Sequence, residues 1–219
     1  MRSFDYIESG KTLLTPHTTS LLAAIHEAKG RQSIQTTIRP DILGTLVAVA
    51  RIQSTDASNR IEGISTSDSR LNDLVSEKVT PRNRNEEEIA GYRDALSVIH
   101  ESHDYIPITP NVILQLHRDL FRHTPLTFAG HFKDSDNVII ERDAHGTSTV
   151  RFAPPSALVT PELIERACSA YTQAIRDGHT DPLLAIAMFI LDFTCIHPFN
   201  DGNGRMSRLL TLLMLCRNG

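Results

Sequence analysis

A polar stretch at residues 196–208 joins two strongly apolar segments, and this arrangement constrains the fold more than any other feature of the chain. Residues 183–196 are almost entirely apolar, which is typical of a helix buried on all sides. Residues 205–215 also favour a helix. The stretch between them contains one histidine, one aspartate, two glycines and two arginines. A polar loop is therefore predicted between two helices of the core.

The composition of this loop predicts a site for a phosphate-bearing ligand. Gly202 and Gly204 permit backbone conformations in which N–H groups face an anion, and they directly precede a helix N-terminus. Arg205 and Arg208 are three residues apart, so both guanidinium groups are expected near one face of the first turn. Asp201 is a hard oxygen ligand suited to Mg²⁺.

His197 is the titratable group of the loop. A histidine with the reference pKa of about 6.5 can take a proton from an attacking hydroxyl near neutral pH.

Residues 197–208 read H-P-F-N-D-G-N-G-R-M-S-R and match every position of the signature H-x-F-x-[D/E]-G-N-G-R-x-x-R. The chain therefore resembles the Fic family, whose members typically transfer AMP from ATP to a hydroxyl side chain of a target protein. The resemblance implies that His197 is the general base and that Asp201 binds Mg²⁺. It also implies an anion hole and a triphosphate grip, with ATP as substrate, formed by Gly202, Asn203, Gly204, Arg205 and Arg208.

A second informative segment precedes this loop. A helix is predicted from residue 40 onward, with a stop at Gly63, and it puts Ser58 and Glu62 on one face. From the residues alone this is a routine helix end. Many Fic proteins, however, carry an inhibitory helix with the pattern [S/T]-x-x-x-E-[G/N], which these three residues match. The resemblance thus implies that Glu62 pairs with Arg208 and occupies the place of the γ-phosphate.

Residues 138–140 and 149–152 are β-favouring and are separated by a polar tip at residues 141–148, which predicts a hairpin. An exposed strand edge can bind an extended peptide. Similar Fic proteins have a hairpin, the flap, over the active site. We therefore expect a target segment to dock at Val138, Ile139 and Ile140. A hairpin that only covers the core is the alternative.

The remaining chain predicts an all-α fold, that is, a Fic-like helical domain with this small hairpin. Residues 1–38 are expected to be an N-terminal extension with an irregular start and a helix that Gly30 ends. Residues 39–219 are expected to form the Fic-like domain, and a truncated C-terminus is left open because family domains usually continue further. The acidic run at residues 86–88 is expected to be the solvated start of a helix. His117 is expected to be a packing or surface residue.

The composition of the chain limits which classes of partner are expected. The formal net charge of −4 gives no overall basic balance, so nucleic acid is not expected as a partner. No segment predicts a membrane span, and Cys168, Cys195 and Cys216 are expected to be reduced, buried thiols in the cytoplasm. The expected partners are ATP and a target protein with an exposed hydroxyl, and a homo-oligomer is left open.

Several functions are compatible with these residues. Beside AMP transfer to a target or to the protein itself, Glu62 could align a water that removes AMP from a modified protein. The loop could also transfer another phosphate-bearing group. A different class is a non-catalytic nucleotide-binding or toxin–antitoxin interaction module that Glu62 keeps locked.

Overall fold

The computed structural model describes residues 4–38, 40–142 and 146–219. Helices dominate these ranges, and two short strands form a hairpin, so the predicted fold class is confirmed. The helices are α1 (Tyr6–Leu13), α2 (Pro16–Ile38), α3 (Pro40–Ile61), α4 (Asp68–Val75), α5 (Arg84–Ser102), α6 (Pro110–Leu120), α7 (Thr160–Asp177), α8 (Pro182–Ile196) and α9 (Asn203–Arg217), and the strands are β1 (Ile139–Arg142) and β2 (Ser148–Phe152).

Helix α8 lies at the centre of the core. It begins with the Asp181 carboxylate accepting a hydrogen bond from the Leu183 N–H, and Pro182 occupies the first turn, where its missing N–H costs nothing. The side chains of Phe189 and Phe193 are fully buried. Because α8 packs against α1, α7 and α9, its C-terminal end is fixed in the interior. The prediction of a central buried helix leading to the polar loop is confirmed.

The N-terminal region differs from the sequence-based expectation in two ways. Residues 6–13, expected to be irregular, form the helix α1, and the buried Tyr6 hydroxyl donates to Asp192 of α8 at 2.9 Å. Gly30 does not end the second helix, because α2 continues to Ile38. A helical glycine costs only about 1 kcal/mol relative to alanine, and the neighbouring Lys29 side chain donates to the Asn218 carbonyl.

Helix α3 ends as predicted, with Gly63 in the left-handed region at φ 76°. Helix α4 was not predicted, because the segment after Gly63 is mostly polar. Its Leu71 and Leu74 form a small second core with Ile89 of α5. This packing holds the C-terminal half of α3 against α5 and α9.

The predicted hairpin is present, although residues 143–145 of its tip lie outside the described residues. The strands are antiparallel, with Ile140 opposite Val150 and a bulge between Ile139 and Ile140. Every residue of β2 is exposed, and so are Val138 and Ile140. The alternative that the hairpin merely covers the core is therefore disfavoured, since it buries few apolar side chains there.

Two further findings concern the whole described chain. No helix in the described ranges combines the length and the apolar character that crossing a bilayer requires. The three cysteines are free thiols. Cys168 is buried as expected, whereas Cys195 and Cys216 are only half-buried, because their positions on α8 and α9 face the edge of the core.

Candidate active site

His197 terminates α8 in the left-handed conformation, with φ 50° and ψ 63°. Its backbone N–H donates to the Phe193 carbonyl at 3.0 Å. The Nδ1 atom is buried, so Nε2 is the ring nitrogen that can meet a substrate. Burial lowers the pKa of His197, and the Lys133 ammonium lowers it further, while the Thr194 carbonyl and Glu62 oppose this shift. A neutral, proton-accepting imidazole is thereby favoured near pH 7.

The loop after His197 is shaped by one side chain. Asn203 accepts from the Phe199 N–H at 2.9 Å and donates to the Phe199 carbonyl at 2.8 Å, and it is almost fully buried. Because both ends of the amide are used inside the loop, the Asn203 side chain shapes the predicted anion hole, and backbone amides are left to line it. Gly202 has φ 82°, and a Cβ there would lie 2.9 Å from the Phe121 ring.

Helix α9 directs its N-terminus toward this loop. The N–H groups of Asn203, Gly204 and Arg205 belong to the first turn, where a helix provides no acceptor of its own and carries partial positive charge. Glu62 lies directly over this turn: a Cβ placed on Gly204 would be 2.2 Å from Glu62 Oε1. A carboxylate of the chain thus lies where the sequence predicts a bound anion.

The guanidinium group of Arg208 is held by the end of α3. Its Nε donates to the Ser58 hydroxyl at 2.7 Å, and its Nη2 donates to the Ser58 carbonyl at 3.0 Å and to Glu62 Oε1 at 2.6 Å. Arg208 and Glu62 are each about one third exposed, 31% and 34% respectively, so the pair is open to solvent from one side. The structure thus brings Ser58, Glu62 and Arg208 into contact, which is the arrangement that the resemblance implies.

Arg205 is in a different environment from Arg208. Its side chain is 1% exposed, donates to Glu88 Oε2 at 2.7 Å, and has its guanidinium carbon 5.0 Å from the centre of the Phe121 ring. The two arginines do not share one face as expected, because a three-residue spacing also permits one side chain to point into the core. A direct phosphate contact by Arg205 stays a prediction, whereas its contact with Glu88 is observed.

Asp201 is the exposed carboxylate of the loop. Its Oδ1 accepts from the Gly202 N–H at 2.6 Å and lies 3.8 Å from Arg205 Nη2, while Oδ2 lies 3.9 Å from Arg84 Nη2. In the part of the chain that the structure describes, no three His, Cys, Asp or Glu side chains cluster as a metal site would require. A single, 47% exposed carboxylate nevertheless fits Mg²⁺, which commonly binds one or two carboxylates together with substrate phosphates.

His117 packs against the buried side of the loop that follows His197, which agrees with the expectation of a packing residue. It is fully buried, stacks on Phe199 with ring centres 3.7 Å apart, and accepts from the Gly130 N–H through Nδ1 at 2.9 Å. Its Nε2 lies 3.0 Å from the Asp201 carbonyl and must therefore carry the proton that it donates there. Burial lowers the pKa of His117 to about 4, so the ring is neutral at pH 7.

Two of the three residues of the acidic run on α5 are buried, contrary to the prediction of a solvated helix start. Glu86 and Glu88 are each 3% exposed. Arg70 pairs with Glu86 at 2.5 Å and lowers the pKa of that carboxyl to about 2. Glu88 accepts from Arg84 at 2.8 Å and from Arg205 at 2.7 Å. Since Glu88 lies four residues before the buried Tyr92, its position on the apolar stripe of α5 was the available sequence signal.

The hairpin begins beside the loop. The segment that precedes β1 donates to the loop from the Lys133 N–H, to the Pro198 carbonyl at 2.8 Å, and from the Asn137 amide, to the Phe199 carbonyl at 3.3 Å. Val138 and Ile140 then extend away from it, 51% and 54% exposed. No pattern in the sequence indicates Lys133, because a lysine in a polar segment is normally solvated.

Comparisons with known proteins identify the family of the domain that carries this loop. Residues 107–215 match the Fic/DOC family. The chain is 37% identical over 89 residues to a Fido domain-containing protein of Dictyostelium discoideum, and 28% identical over 144 residues to the protein adenylyltransferase fic-1 of Caenorhabditis elegans. These alignments cover 39% and 62% of the chain.

A crystal structure of a Fic domain containing signaling protein from Bacteroides thetaiotaomicron superposes with a TM-score of 0.71 at 25% identity, covering 82% of this chain and 67% of the other. The chain spans 57% of the length of the Dictyostelium relative and 25% of the nematode one. The region that matches the Fic/DOC family, residues 107–215, contains α6, the hairpin, α7, α8 and most of α9. It also contains the loop that holds His197. The chain therefore carries a Fic/DOC family domain.

Proposed function

We propose that this protein transfers AMP from ATP to a Ser, Thr or Tyr hydroxyl of a target protein or of itself. Relatives named protein adenylyltransferase support this reaction at the level of the family. The observation that carries the proposal for this chain is the Glu62 carboxylate, bound to Arg208 over the first turn of α9. An anionic group of the chain itself is held by the residues proposed to hold a phosphate, and His197 lies on the same loop.

In the proposed reaction the target hydroxyl attacks the α-phosphorus of ATP in line with the departing pyrophosphate. One P–O bond forms to the target and the P–O bond to the β-phosphate breaks, while Nε2 of His197 takes the hydroxyl proton. The first-turn amides of α9 and Arg208 stabilise the phosphate charge. Asp201 would bind Mg²⁺, whose positive charge would offset that of the polyphosphate.

The chain's other residues position these groups. The Asn203 side chain and the His117 ring, stacked on Phe199, fix the loop in one conformation. Arg205 is proposed to support Asp201 and the loop from the buried side through its ion pair with Glu88. Such rigid support suits catalysis, because misplacing a reacting group by about 1 Å costs on the order of 100-fold in rate.

Glu62 is proposed to inhibit the resting protein. Its carboxylate takes the Arg208 Nη2 donor and puts negative charge against Gly204, where the γ-phosphate would approach. Ser58 strengthens this arrangement by accepting from the same guanidinium group. ATP bound beside Glu62 would be displaced from the pose that transfer requires.

The target segment is proposed to pair with the free edge of the hairpin at Val138, Ile139 and Ile140. These residues follow the segment that contacts the catalytic loop, and two of them are more than half exposed. Backbone pairing there would bring an extended segment close to His197. The protein is also proposed to act in the cytoplasm.

Intact-mass analysis of the purified protein with Mg-ATP tests both parts. We expect an added mass of one AMP in Glu62→Gly, at least 10-fold less in wild type, and none in Glu62→Gly combined with His197→Ala. The double variant is the matched control, because it keeps the open site and lacks only the base. A known AMP-accepting protein added to each reaction extends the test from self-modification to transfer.

Absence of AMP from every variant and every acceptor would overturn the proposal. Incubation with an AMP-modified protein would then decide between AMP removal, which wild type but not Glu62→Gly should perform, and a non-catalytic nucleotide-binding module, which would bind ATP without turnover.

A further inference from the structure

Lys133 is a buried cation that the reaction described above does not use. Its side chain is 3% exposed, and no carboxylate of the described ranges lies within ion-pair distance of Nζ. Burial lowers the pKa of Lys133, and only the more distant Asp136 opposes this. Burying a charged group without a counter-ion costs free energy of folding. The burial of Lys133 therefore needs an explanation in terms of its contacts.

The contacts of Lys133 surround His197 in the chain. Its Nζ donates to the carbonyl of Ile196 at 3.2 Å, and its backbone N–H donates to the carbonyl of Pro198 at 2.8 Å. These are the residues immediately before and after His197. The left-handed conformation of His197 is thus held from both sides by one residue, which sets the direction of the imidazole.

The same segment anchors the hairpin. Nζ of Lys133 also donates to Asn137 Oδ1 at 3.1 Å, and Asn137 donates to the Phe199 carbonyl at 3.3 Å. On the far side of the hairpin, the Ala157 N–H donates to Asp136 Oδ1 at 2.7 Å. Residues 133–137 therefore connect both ends of the hairpin to the loop that carries His197.

Two charged side chains act on the His197 ring, and they belong to different parts of the fold. Lys133, from the segment before the hairpin, lowers its pKa, and Glu62, at the end of α3, raises it. Glu62 would leave the site when the protein becomes active, whereas Lys133 is held in place by the contacts above. In the active state, of these two side chains, only Lys133 would still place a charge near the His197 ring.

We propose that Lys133 is a positioning residue that aligns the His197 imidazole with the hairpin and keeps it neutral, ready to accept the proton of the target hydroxyl. This proposal rests on the assignment of His197 as the general base. A positive charge nearby disfavours protonation of the ring, so the fraction of protein with a competent base is larger at neutral pH. The hydrogen bonds set where that base points.

The test is an NMR titration of the His197 ring in the ATP-free protein, with its resonance identified by its loss in His197→Ala. Lys133→Met should shift the midpoint upward by about half a pH unit or more, because the nearby positive charge is gone. Lys133→Arg should keep the wild-type midpoint. Asn137→Ala, which removes a contact of the segment but no charge, should also keep it. Glu62→Gly should shift the midpoint downward.

A second readout follows the reaction in the Glu62→Gly background. There, Lys133→Met should move the acidic limb of the pH–rate profile upward and reduce kcat at pH 7, with little change in KM for ATP, and Lys133→Arg should restore the profile. If Lys133→Met does not fold, Lys133→Gln replaces it, since it retains a donor without the charge.

An unchanged His197 midpoint in the folded, charge-free variant would overturn the proposal. The titration needs neither ATP nor a target, so a protein that transfers no AMP still gives this answer. Failure of the proposed function and failure of the role of Lys133 are therefore separate results.

Discussion

Arg205 of α9 and Glu88 of α5 form an ion pair at 2.7 Å in which the two side chains are 1% and 4% exposed. The pair lies beneath the catalytic loop, where Arg205 Nη2 is also 3.8 Å from the Asp201 carboxylate. Arg84 binds the other oxygen of Glu88 at 2.8 Å and lies at the solvent side. Arg205, Glu88 and Arg84 thus connect the core to Asp201, the proposed metal ligand.

Removal of one partner of the Arg205–Glu88 pair should be more damaging than removal of both. Glu88→Ala leaves a buried guanidinium without its partner, so we expect a loss of about 3–5 kcal/mol in the free energy of unfolding. Glu88→Met combined with Arg205→Met should lose less than Glu88→Met alone. Urea unfolding measures all variants. Additive losses in the double variant would contradict a coupled pair.

Two glycines should respond to alanine to different degrees. A Cβ on Gly91 of α5 would lie 2.0 Å from the Leu120 carbonyl oxygen, and backbone cannot move aside cheaply. We therefore expect Gly91→Ala to destabilise the fold by about 1–3 kcal/mol or more. At Gly204 the obstacle is the end of the flexible Glu62 side chain, 2.2 Å away. Gly204→Ala should therefore change the free energy of unfolding much less.

Gly204→Ala also tests the position of Glu62, since the added methyl would displace the carboxylate from Arg208. Thermal unfolding of both alanine variants gives the comparison. Gly30→Ala is the control, because a Cβ at that position would meet no described atom within 4 Å apart from its own helix backbone and chain neighbours. Equal losses at Gly91 and Gly204 would mean that Glu62 does not move, contrary to the proposed release.

The strength of inhibition should follow the groups that hold Arg208. Glu62→Gln keeps the shape and one acceptor but removes the charge, so its AMP transfer should lie between those of wild type and Glu62→Gly. Ser58→Ala removes the acceptor of Arg208 Nε, which is 2.7 Å away, and should release the protein partially. A hydrogen bond to a charged group contributes about 1.5–3 kcal/mol, so roughly 10-fold or more activation is expected.

Initial rates of AMP incorporation at saturating Mg-ATP measure this series. Thr55→Ala is the matched control on the same helix, because the buried Thr55 hydroxyl has no partner within the described ranges and does not bind Arg208. An activity of Glu62→Gln equal to that of wild type would exclude the charge of Glu62 as the cause of inhibition.

The sequence alone predicts most of the site and part of the scaffold. The residues of the loop are contiguous, and the helix α8 before it is apolar on every face, so both could be recognised without knowledge of distant contacts. Helix α1 and the run of α2 through Gly30 were missed, because the pairing of Tyr6 with Asp192 and of Lys29 with Asn218 joins opposite ends of the chain.

The polar residues were harder to predict than the apolar ones. Glu88 was expected in solvent but is buried, because its partner Arg205 is 117 positions away. Lys133 gave no sequence signal, since the Ile196 and Pro198 carbonyls that it contacts are backbone groups more than 60 positions away. For the same reason the sequence did not distinguish the environments of the two arginines. Arg205 contacts the buried Glu88, whereas Arg208 contacts Ser58 and Glu62 nearer the surface.

Stability should depend on pH through His117. Burial lowers the pKa of His117 to about 4 in the folded protein from about 6.5, its value when unfolded. The unfolded state therefore binds a proton first, so stability is lost as the pH falls from 6.5 toward 4, and this one group accounts for about 3 kcal/mol of the loss. His117→Gln should be less stable at pH 7, because the bond to the Asp201 carbonyl is weakened, but its stability should fall less steeply with acid.

Urea unfolding at intervals between pH 7 and 4.5 gives the two slopes, and wild type should bind about one more proton on unfolding than the variant in this range. The remaining histidines, His197 among them, are common to both proteins and cancel in the comparison. Glu86 contributes mainly below pH 4.5, since Arg70 lowers its pKa to about 2. Equal slopes of stability against pH for wild type and His117→Gln would mean that the His117 ring is protonated in the folded state. The assignment of a neutral His117 tautomer that donates to the Asp201 carbonyl would then be wrong.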